Sequence, residues 1–465
     1  MSRGRLTALA LLLCLAALAC APVAGASQSA ADQGRPGHQP RTPIRHVISL
    51  MQENHSFDNY FGTYPGADGL PAGACMPADL GDRAAACVKP FHLAKRPITD
   101  LGHSREVFER QYRKGKMDGF VSAYRHEGLN GENAMGYYDD RDLPYYWNIA
   151  DRYVLFDRFF TSAAGGSVWN HMYWVTGTPG NYQVDLIPKG GFKDLPTIFD
   201  RLEAAGVSWK FYVQNYDPTI NLRTANDASK GDKVSQVIWV PPLLYARFVD
   251  NPELSRHIVD LDEYYRDLRR GTLPAVSYIV PSGASEHPPG SIQAGERFVR
   301  GLLNSLAGSS AWSSSAFVWT YDDWGGWYDH VKPPQVDRFG YGFRAPALLV
   351  SAYARRGEVV HTQLDFTSIL RFVEDNWGLR PLAERDAKAN SIAAGLDFTV
   401  PARAPEYVAA ERGLQVPSEK AKRPVIYAAY GIALLFAVAL LALGGRLAGS
   451  VEPRRLRSRR PGPTT

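Results

Sequence analysis

The feature that most constrains this sequence of 465 residues is a largely apolar, β-branched run that ends in a cluster of polar side chains. Residues 44–51 predict a buried strand. Glu53 and Asn54 follow it, with more polar side chains up to Asp58. Because open α/β sheets bind ligands beyond the carboxyl ends of their strands, this position favours a site for a divalent cation or a phosphoryl group. A helix N-cap region after a strand is the alternative explanation.

The interior of the chain has the composition of one large globular domain. Hydrophobic residues make up 45% of the sequence and aromatic residues 12%, which is ample for a sizeable core. We expect this domain at residues 44–400, after a polar leader at 27–43 and before a linker at 401–424.

The first residues, 1–26, have the features of a secretory signal peptide. Two arginines precede a long apolar run, and residues 24–26 provide a small-residue cleavage pattern. A lipoprotein cleavage site at Cys20 and an uncleaved N-terminal anchor are alternatives that the sequence leaves open. We therefore expect the domain that follows to be exported.

The C-terminal end predicts a transmembrane helix. Residues 425–445 are uncharged and apolar over a length that crosses ~30 Å of hydrocarbon. Six arginines follow in the tail at 446–465, which the positive-inside rule places in the cytoplasm. The sequence thus predicts a single-pass protein of a bacterial cell membrane with its large domain extracytoplasmic. A buried helix of a soluble protein is the alternative, and the basic flank argues against it.

The net charge of +5 does not indicate nucleic-acid binding. Most of the positive charge lies in the tail and in the signal region, so the exported remainder is weakly acidic. We therefore expect no basic surface for nucleic acid, and we interpret the tail as a topology signal. The sequence identifies no protein partner.

Two of the four cysteines lie outside the predicted signal peptide. Cys75 and Cys87 are close together in a chain that we expect to be exported, which predicts one disulfide closing a surface loop. A metal site is the alternative, but two thiols alone make a poor one.

Helical and strand patterns alternate along the chain and predict an α/β fold with a mostly parallel sheet. Residues 195–205 have the periodicity of an amphipathic helix, and a strand pattern follows at 207–213. Residues 276–280 and 343–351 predict further strands, and residues 365–378 predict another helix with one apolar face.

Four further segments carry side chains suited to phosphoryl chemistry. His103 follows a glycine, Ser167 follows two glycines at a predicted helix start, and His287 stands between a strand end and two prolines. Asp322 and Asp323 follow a strand, and such adjacent acids repel each other unless a cation compensates them. The helix start also favours an oxyanion or phosphate beside Ser167. Structural alternatives are capping for His103 and Ser167, a loop role for His287, and a solvated turn for the acids.

Several of these segments also resemble one protein family. The first is HVISLMQENHSFDNYFGTYPG, which is similar to the opening motif of the bacterial phosphoesterase family that contains phosphatidylcholine-type phospholipases C and a respiratory-burst-inhibiting acid phosphatase. His103 followed by GKMDGFV, and SEHPP around His287, resemble two more family segments. The segment YDDWGGWYDHV resembles the pattern Y-D-E-x-G-G-x-x-D-H-V, with the shorter Asp323 in place of glutamate. The resemblance runs from about residue 44 to 398.

The Ser167 segment matches its family pattern, G-P-T-x-P-N-R, less completely. Ser167 and Asn170 match, whereas four residues depart from it: Gly166, Val168, Trp169 and His171. Asp329 and His330 match the pattern of the preceding motif, and bracing of the turn is the alternative to a role in the site.

The resemblance implies an alkaline-phosphatase-like core, with a mostly parallel central sheet flanked by helices. It implies that one divalent cation, of unknown identity, is bound by five residues: Glu53, Asn54, Ser167, Asp322 and Asp323. It further implies that Ser167 is the nucleophile, and that His103 and His287 stabilise the phosphoryl oxygens while one of them protonates the leaving alcohol.

Together these features predict a membrane-anchored, extracytoplasmic phosphoric ester hydrolase. We expect it to be phospholipase C-like, with a phospholipid or related phosphoester substrate, because the anchor holds the domain beside lipid. An acid phosphatase acting on phosphomonoesters is the first alternative. A non-catalytic surface domain is the second, and retention of all the predicted site residues argues against it.

Overall fold

The structure is a computed structural model, and it describes residues 38–81, 86–94, 98–125, 128–182, 185–224 and 235–413. The predicted signal peptide, transmembrane helix and basic tail lie outside these ranges and stay predictions. Within the described ranges, no helix combines the length and the apolar character needed to cross a bilayer. The chain divides into two units, Met1–Pro405 and Glu406–Thr465, and only residues 406–413 of the second are described.

An eight-stranded sheet organises the first unit, in the order β12-β6-β11-β10-β1-β9-β7-β8, and two pairs of short strands, β2-β3 and β4-β5, form small separate sheets. In chain order the strands are β1 (His46–Gln52), β2 (Met76–Pro77), β3 (Cys87–Val88), β4 (Phe91–His92), β5 (Gly136–Tyr137), β6 (Val154–Phe156), β7 (Trp209–Val213), β8 (Ile258–Asp260), β9 (Val276–Val280), β10 (Ser315–Tyr321), β11 (Ala347–Ser351) and β12 (Glu358–Val360).

The helices of the described residues are mostly short. In chain order they are α1 (Phe57–Phe61), α2 (Arg105–Tyr112), α3 (Phe120–Arg125), α4 (Pro144–Ala150), α5 (Ser167–Thr176), α6 (Ile198–Ala205), α7 (Gln236–Trp239), α8 (Ala246–Val249), α9 (Pro252–Ser255), α10 (Asp262–Arg270), α11 (Ile292–Ala307), α12 (Phe366–Trp377) and α13 (Glu384–Lys388).

The strand predicted first, β1, lies at the centre of the sheet between β10 and β9 and is parallel to both. It is buried from Val47 to Gln52, as its apolar sequence predicts. Its last residue, Gln52, pairs with Tyr321, the last residue of β10. Because the two strands end in register, the residues that follow them leave the sheet side by side.

The sheet is mostly parallel, which confirms the predicted fold class. Among the eight strands of the central sheet, only β11 runs antiparallel to its neighbours β10 and β6. The carboxyl ends of β1, β6, β9 and β10 therefore lie at one edge of the sheet. This is the edge at which parallel α/β sheets bind ligands.

The helices and the strand discussed next were predicted from the sequence and are present in the structure, but their first or last residues differ from the prediction. The helix predicted at 195–205 begins at Ile198, because Thr197 caps it and forms a reciprocal capping box with Asp200. The strand predicted at 343–351 is confined to Ala347–Ser351. The predicted helix at 365–378 ends at Trp377, with Gly378 in the left-handed conformation after it.

The disulfide predicted between Cys75 and Cys87 is confirmed. Their Cα atoms are 5.4 Å apart, within the usual range for a disulfide. The bridge spans strands β2 and β3, whose antiparallel register pairs Met76 with Val88. It therefore closes a short hairpin-like excursion.

Candidate active site

The loop after β1 places an acid and an amide at the edge of the sheet. Glu53 is only 2% exposed, and Asn54 is fully buried. The φ angle of Asn54 is 121°, a strained conformation that asparagine tolerates better than most residues. Its amide Nδ2 donates to Asp323 Oδ1 at 2.7 Å. Its other amide atom, Oδ1, is buried and has no hydrogen-bond partner among the described residues.

The loop after β10 lies beside the loop after β1. The backbone N–H of Asp322 donates to the carbonyl of Gln52 at 3.1 Å, which ties the two strand ends together. The following Gly-Gly turn is required sterically, because a Cβ at Gly325 would lie 2.0 Å from the Asn54 carbonyl oxygen. Asp323 Oδ1 accepts a second hydrogen bond, from the Gly325 N–H at 2.8 Å. Within the described part of the chain, neither carboxylate oxygen of Asp322 has a hydrogen-bond partner.

Ser167 is the first residue of α5, and its hydroxyl donates to Asp323 Oδ2 at 3.4 Å. Gly166 occupies the N-cap position, so the alternative that Ser167 serves only as the N-cap is wrong. The side chain of Asn170 holds the preceding turn: it accepts from the Ala163 N–H at 2.9 Å and donates to the Gly166 carbonyl at 3.1 Å. The match of Asn170 to the family pattern thus has a structural basis.

The start of α5 differs from the prediction of an open anion site. The carboxylate of Asp185 accepts hydrogen bonds from the N–H groups of Gly166 and Trp169, the latter at 2.7 Å. A side chain of the protein therefore already uses the donors that we expected to favour a phosphate. Sequence analysis missed Asp185 because it lies in an irregular segment with no recognisable spacing to Ser167.

The two predicted histidines lie together over this edge. The ring centroids of His103 and His287 are 5.4 Å apart, and His103 Nε2 is 3.9 Å from Asp323 Oδ2. Burial alone lowers the pKa of His103, but the carboxylates of Asp323 and Asp100 outweigh it and raise the pKa to about 10. His103 is therefore a cation at neutral pH. The His287 ring is held by a 2.7 Å hydrogen bond from Nδ1 to the Pro288 carbonyl.

Glu53, Asp322 and Asp323, which we call the acid cluster, carry more negative charge than their surroundings compensate. Burial raises the pKa of Glu53 to about 8, and Asp323 adds to this rise while His287 and His103 oppose it. Burial and the neighbouring acids Asp323 and Glu53 also raise the pKa of Asp322 well above its usual value. A bound divalent cation would remove the cost of placing these negative charges together in a buried site. The unpartnered oxygens of Asn54 and Asp322 are suitable ligands for such a cation.

One residue of the site, His171, was not among the predicted ligands. It lies four residues after Ser167 in α5 and is 1% exposed. Its Nε2 is 3.4 Å from Glu53 Oε1 and 3.7 Å from Asp322 Oδ2. The helical i, i+4 spacing from Ser167 is the signal that could have identified it.

A second group of charged residues, the arginine cluster, lies beside the first. It consists of Asp58, Asp329, His330 and Arg344. Arg344 is fully buried and donates from Nε to Asp329 Oδ1 at 2.9 Å and from Nη2 to Asp58 Oδ1 at 3.0 Å. His330 Nδ1 lies 2.7 Å from Asp58 Oδ2. These contacts support the bracing alternative for Asp329 and His330.

The structure thus brings the seven predicted site residues to one sheet edge through a continuous series of contacts. They are Glu53, Asn54, His103, Ser167, His287, Asp322 and Asp323. Their individual roles in binding and catalysis stay predictions.

Comparison with known proteins identifies the class of this site. Residues 44–380 match the Phosphoesterase family. The chain is 28% identical over 431 residues to phospholipase C B of Mycobacterium tuberculosis, covering 79% of this chain and 80% of that protein. It is 27% identical over 410 residues to the non-specific phospholipase C1 of Arabidopsis thaliana, covering 76% of this chain and 71% of that protein.

Among solved structures, a protein in the alkaline phosphatase superfamily from Vibrio parahaemolyticus aligns with a TM-score of 0.36 and 13% identity, covering 78% of this chain and 72% of that one. We base no conclusion on that likeness. The match over residues 44–380 shows that the chain belongs to the Phosphoesterase family. It is a phosphoric ester hydrolase.

Proposed function

We propose that this chain is a metal-dependent, phospholipase C-like hydrolase that cleaves phospholipids or related phosphodiesters outside the cytoplasm. The observation that carries the proposal is the hydrogen bond from the Ser167 hydroxyl to Asp323 of the acid cluster, at the carboxyl ends of two adjacent parallel strands. The phospholipase C names of two similar proteins support the diester substrate. The predicted anchor at 425–445 adds weight to a lipid, because it would hold the domain beside a membrane.

The cation-binding residues in this proposal come from three segments of the chain that meet at this edge of the sheet. They are Glu53, Asn54, Ser167, Asp322 and Asp323. A divalent cation bound by them supplies Lewis-acid chemistry, lowering the pKa of the hydroxyl and neutralising charge that develops on phosphorus-bound oxygens. The alkaline-phosphatase-like core implied by the resemblance is part of the same proposal.

Ser167 is the nucleophile in this proposal. Its position as the first residue of α5 fixes the hydroxyl against Asp323, which orients the O–H bond away from the attacking lone pair. A new bond forms between Oγ and phosphorus while the bond from phosphorus to the alcohol of diacylglycerol breaks. Water then cleaves the bond between Ser167 Oγ and phosphorus, which releases the phosphorylated head group and restores the serine hydroxyl.

His103 and His287 act on the other side of the phosphoryl group. His103 is cationic because Asp323 and Asp100 hold its proton, so it attracts the equatorial phosphoryl oxygens. One of the two imidazoles donates a proton to the leaving alcohol, which prevents expulsion of an unstabilised alkoxide. The close approach of the two rings makes both available to one substrate.

The proposal is tested with the full-length chain in detergent micelles, assayed separately for diacylglycerol from phosphatidylcholine and for free phosphate from phosphomonoesters. We expect diacylglycerol release, and loss of at least about 10³-fold in Ser167→Ala. Ser255→Ala is the control, because Ser255 lies before β8 at the opposite edge of the sheet. Acid quenching should trap the phosphorylated head group on the wild-type chain and not on Ser167→Ala.

Each alternative has its own outcome in this experiment. Release of free phosphate without diacylglycerol would establish the acid phosphatase. Absence of both products from metal-loaded protein would establish the non-catalytic domain. Full activity in Ser167→Ala would disprove the nucleophile.

The anchor is tested separately from the chemistry. The full-length chain should remain in the membrane fraction after alkaline washing, whereas a chain ending at residue 424 should be released. Release of both chains would contradict the proposed anchor.

A further inference from the structure

His171 occupies an unusual position for a buried histidine. It follows Ser167 by one helical turn in α5, so the helix presents the hydroxyl and the imidazole toward the same edge of the sheet. The ligand atoms of His171, Glu53 and Asp322 all lie within 4.8 Å of one another. The imidazole of His171 therefore lies against two acids of the acid cluster.

Among the described residues, the ring of His171 has none of the hydrogen bonds that normally hold a buried imidazole. Within the described ranges, neither Nδ1 nor Nε2 has a hydrogen-bond partner. His55, also buried, shows the ordinary arrangement: its Nδ1 is 2.7 Å from Asn59 Oδ1 and its Nε2 is 3.2 Å from the Glu286 carbonyl. An imidazole without partners costs free energy, whereas one bound to a metal ion does not.

The spacing of the three ligand atoms is that of a metal site. Two ligand atoms each about 2.1 Å from a tetrahedral cation are about 3.4 Å apart. The observed distances from His171 Nε2 are 3.4 Å to Glu53 Oε1 and 3.7 Å to Asp322 Oδ2. Both carboxylate oxygens of Asp322, Oδ2 included, have no hydrogen-bond partner within the described residues.

We propose that His171 binds the cation of this site through Nε2, together with Glu53 and Asp322, and that this nitrogen ligand makes the site select a cation such as Zn²⁺, Fe²⁺ or Co²⁺ over Ca²⁺ and Mg²⁺. Imidazole nitrogen suits zinc and the later first-row metals, whereas calcium and magnesium prefer oxygen ligands alone. The inference rests on the proposed metal-dependent function and names its cofactor class. The family pattern has an arginine where this chain has His171, so the resemblance does not supply this ligand.

The test measures metal binding rather than turnover. The full-length chain in detergent is stripped with a chelator and titrated with Zn²⁺, Co²⁺, Ca²⁺ and Mg²⁺, with Kd obtained by competition. We expect the wild-type chain to bind Zn²⁺ and Co²⁺ at least about 100-fold more tightly than Ca²⁺ and Mg²⁺. His171→Gln should weaken Zn²⁺ and Co²⁺ binding by at least about tenfold and change the visible absorption spectrum of bound Co²⁺.

The matched control is His46→Gln, because His46 begins β1 at the opposite edge of the sheet from the site. It should bind all four cations as the wild type does. Equal Kd values and equal Co²⁺ spectra for His171→Gln and the wild type would overturn the proposal, as would a preference of the wild type for Ca²⁺ or Mg²⁺.

A measurement on the wild-type chain removes any dependence on how the variant folds. X-ray absorption at the zinc edge of the Zn²⁺-loaded chain should show the outer-shell scattering of one imidazole, and a purely oxygen-ligated zinc would overturn the proposal. These measurements distinguish failure of this inference from failure of the proposed function. Zinc bound through imidazole without any phosphoester hydrolysis leaves this inference standing, whereas hydrolysis with an oxygen-only site leaves the function standing.

Discussion

The acid cluster and the arginine cluster both take acids from the loops that follow β1 and β10, yet they hold their negative charges in different ways. In the arginine cluster, a buried guanidinium donates to both Asp58 and Asp329. In the acid cluster, no guanidinium or ammonium group of the described residues forms an ion pair with Glu53 or Asp322, and the imidazole of His171 lies near both. Acids with a built-in cation stabilise the fold, and acids without one form a site for a cation from solution.

The pKa values express the same difference. Burial raises the pKa of Asp329 to about 6, and the charge of Arg344 limits the rise. Burial raises the pKa of Glu53 to about 8, where Asp323 adds to the rise. The predictions that follow test this contrast, beginning with the largest expected effect.

Loss of the acid cluster should abolish activity while leaving the fold intact. We expect Asp322→Asn to reduce phosphoester hydrolysis by on the order of 10²–10³-fold or more, because the cation and the charge it stabilises are lost together. A chelator should have the same effect on the wild type, reversed by adding metal back. Glu253→Gln, an exposed acid outside both clusters, is the control. Activity of Asp322→Asn within tenfold of the wild type would contradict the assignment.

Loss of the arginine should instead lower the free energy of unfolding, with or without metal. Arg344→Met leaves Asp58 and Asp329 buried without their cation, and we expect the free energy of unfolding to fall by about 3–5 kcal/mol. Urea denaturation measures the change. Arg256→Met, at an exposed ion pair, should cost less than about 1 kcal/mol. A small loss in Arg344→Met would remove the distinction between the clusters.

Neutralising one acid in each cluster should change stability in opposite directions when metal is absent. The pKa of Glu53 and of Asp322 is raised by folding, so in the metal-free chain the stability that these two acids contribute is greatest at acid pH and is lost as pH rises. At pH 8, Asp322→Asn should therefore stabilise the stripped protein by on the order of 1 kcal/mol. Asp58→Asn should destabilise it by about 1–3 kcal/mol, because it removes a partner of Arg344. Thermal unfolding of both variants in chelator measures these stability changes. A change of the same sign in both variants would contradict the prediction.

A third buried acid, Glu286, has neither a cationic partner nor a place in a candidate metal site among the described residues. Its carboxylate accepts hydrogen bonds from the hydroxyls of Tyr60, Tyr146 and Tyr321, and burial raises its pKa to about 8. The pKa of Glu286 is higher in the folded chain than in the unfolded chain. The stability that Glu286 contributes should therefore be fully present below about pH 4.5 and should be lost as pH rises through 8. The slope from this group is at most about 1.4 kcal/mol per pH unit.

The test of Glu286 uses the metal-loaded protein, so that the acid cluster does not contribute. Glu286→Gln should flatten the decrease in unfolding free energy between pH 5 and 8, as measured by urea denaturation at each pH. An unchanged slope in this variant would show that Glu286 is not the titrating group.

The fold and the oxygen ligands were predictable because they depend on short-range patterns. Apolar runs such as residues 44–51 mark buried strands, and parallel strands that end in register must place Glu53 beside Asp322. Two residues of the site escaped prediction for a physical reason. His171 lies in a helix whose residues 168–176 are all buried, so hydrophobic patterning does not distinguish it, and only its i, i+4 spacing from Ser167 does. Asp185 reaches the start of α5 through tertiary structure alone.

The carboxylate of Asp185 at the start of α5 also bears on which esters the pocket would accept. It takes up the amide hydrogens of Gly166 and Trp169 and adds negative charge next to Ser167. A phosphomonoester brings up to two charges to that position, and a phosphodiester brings one. A charged carboxylate at this position would repel a bound monoester more strongly than a bound diester, although burial raises the pKa of Asp185 and so opposes that charge.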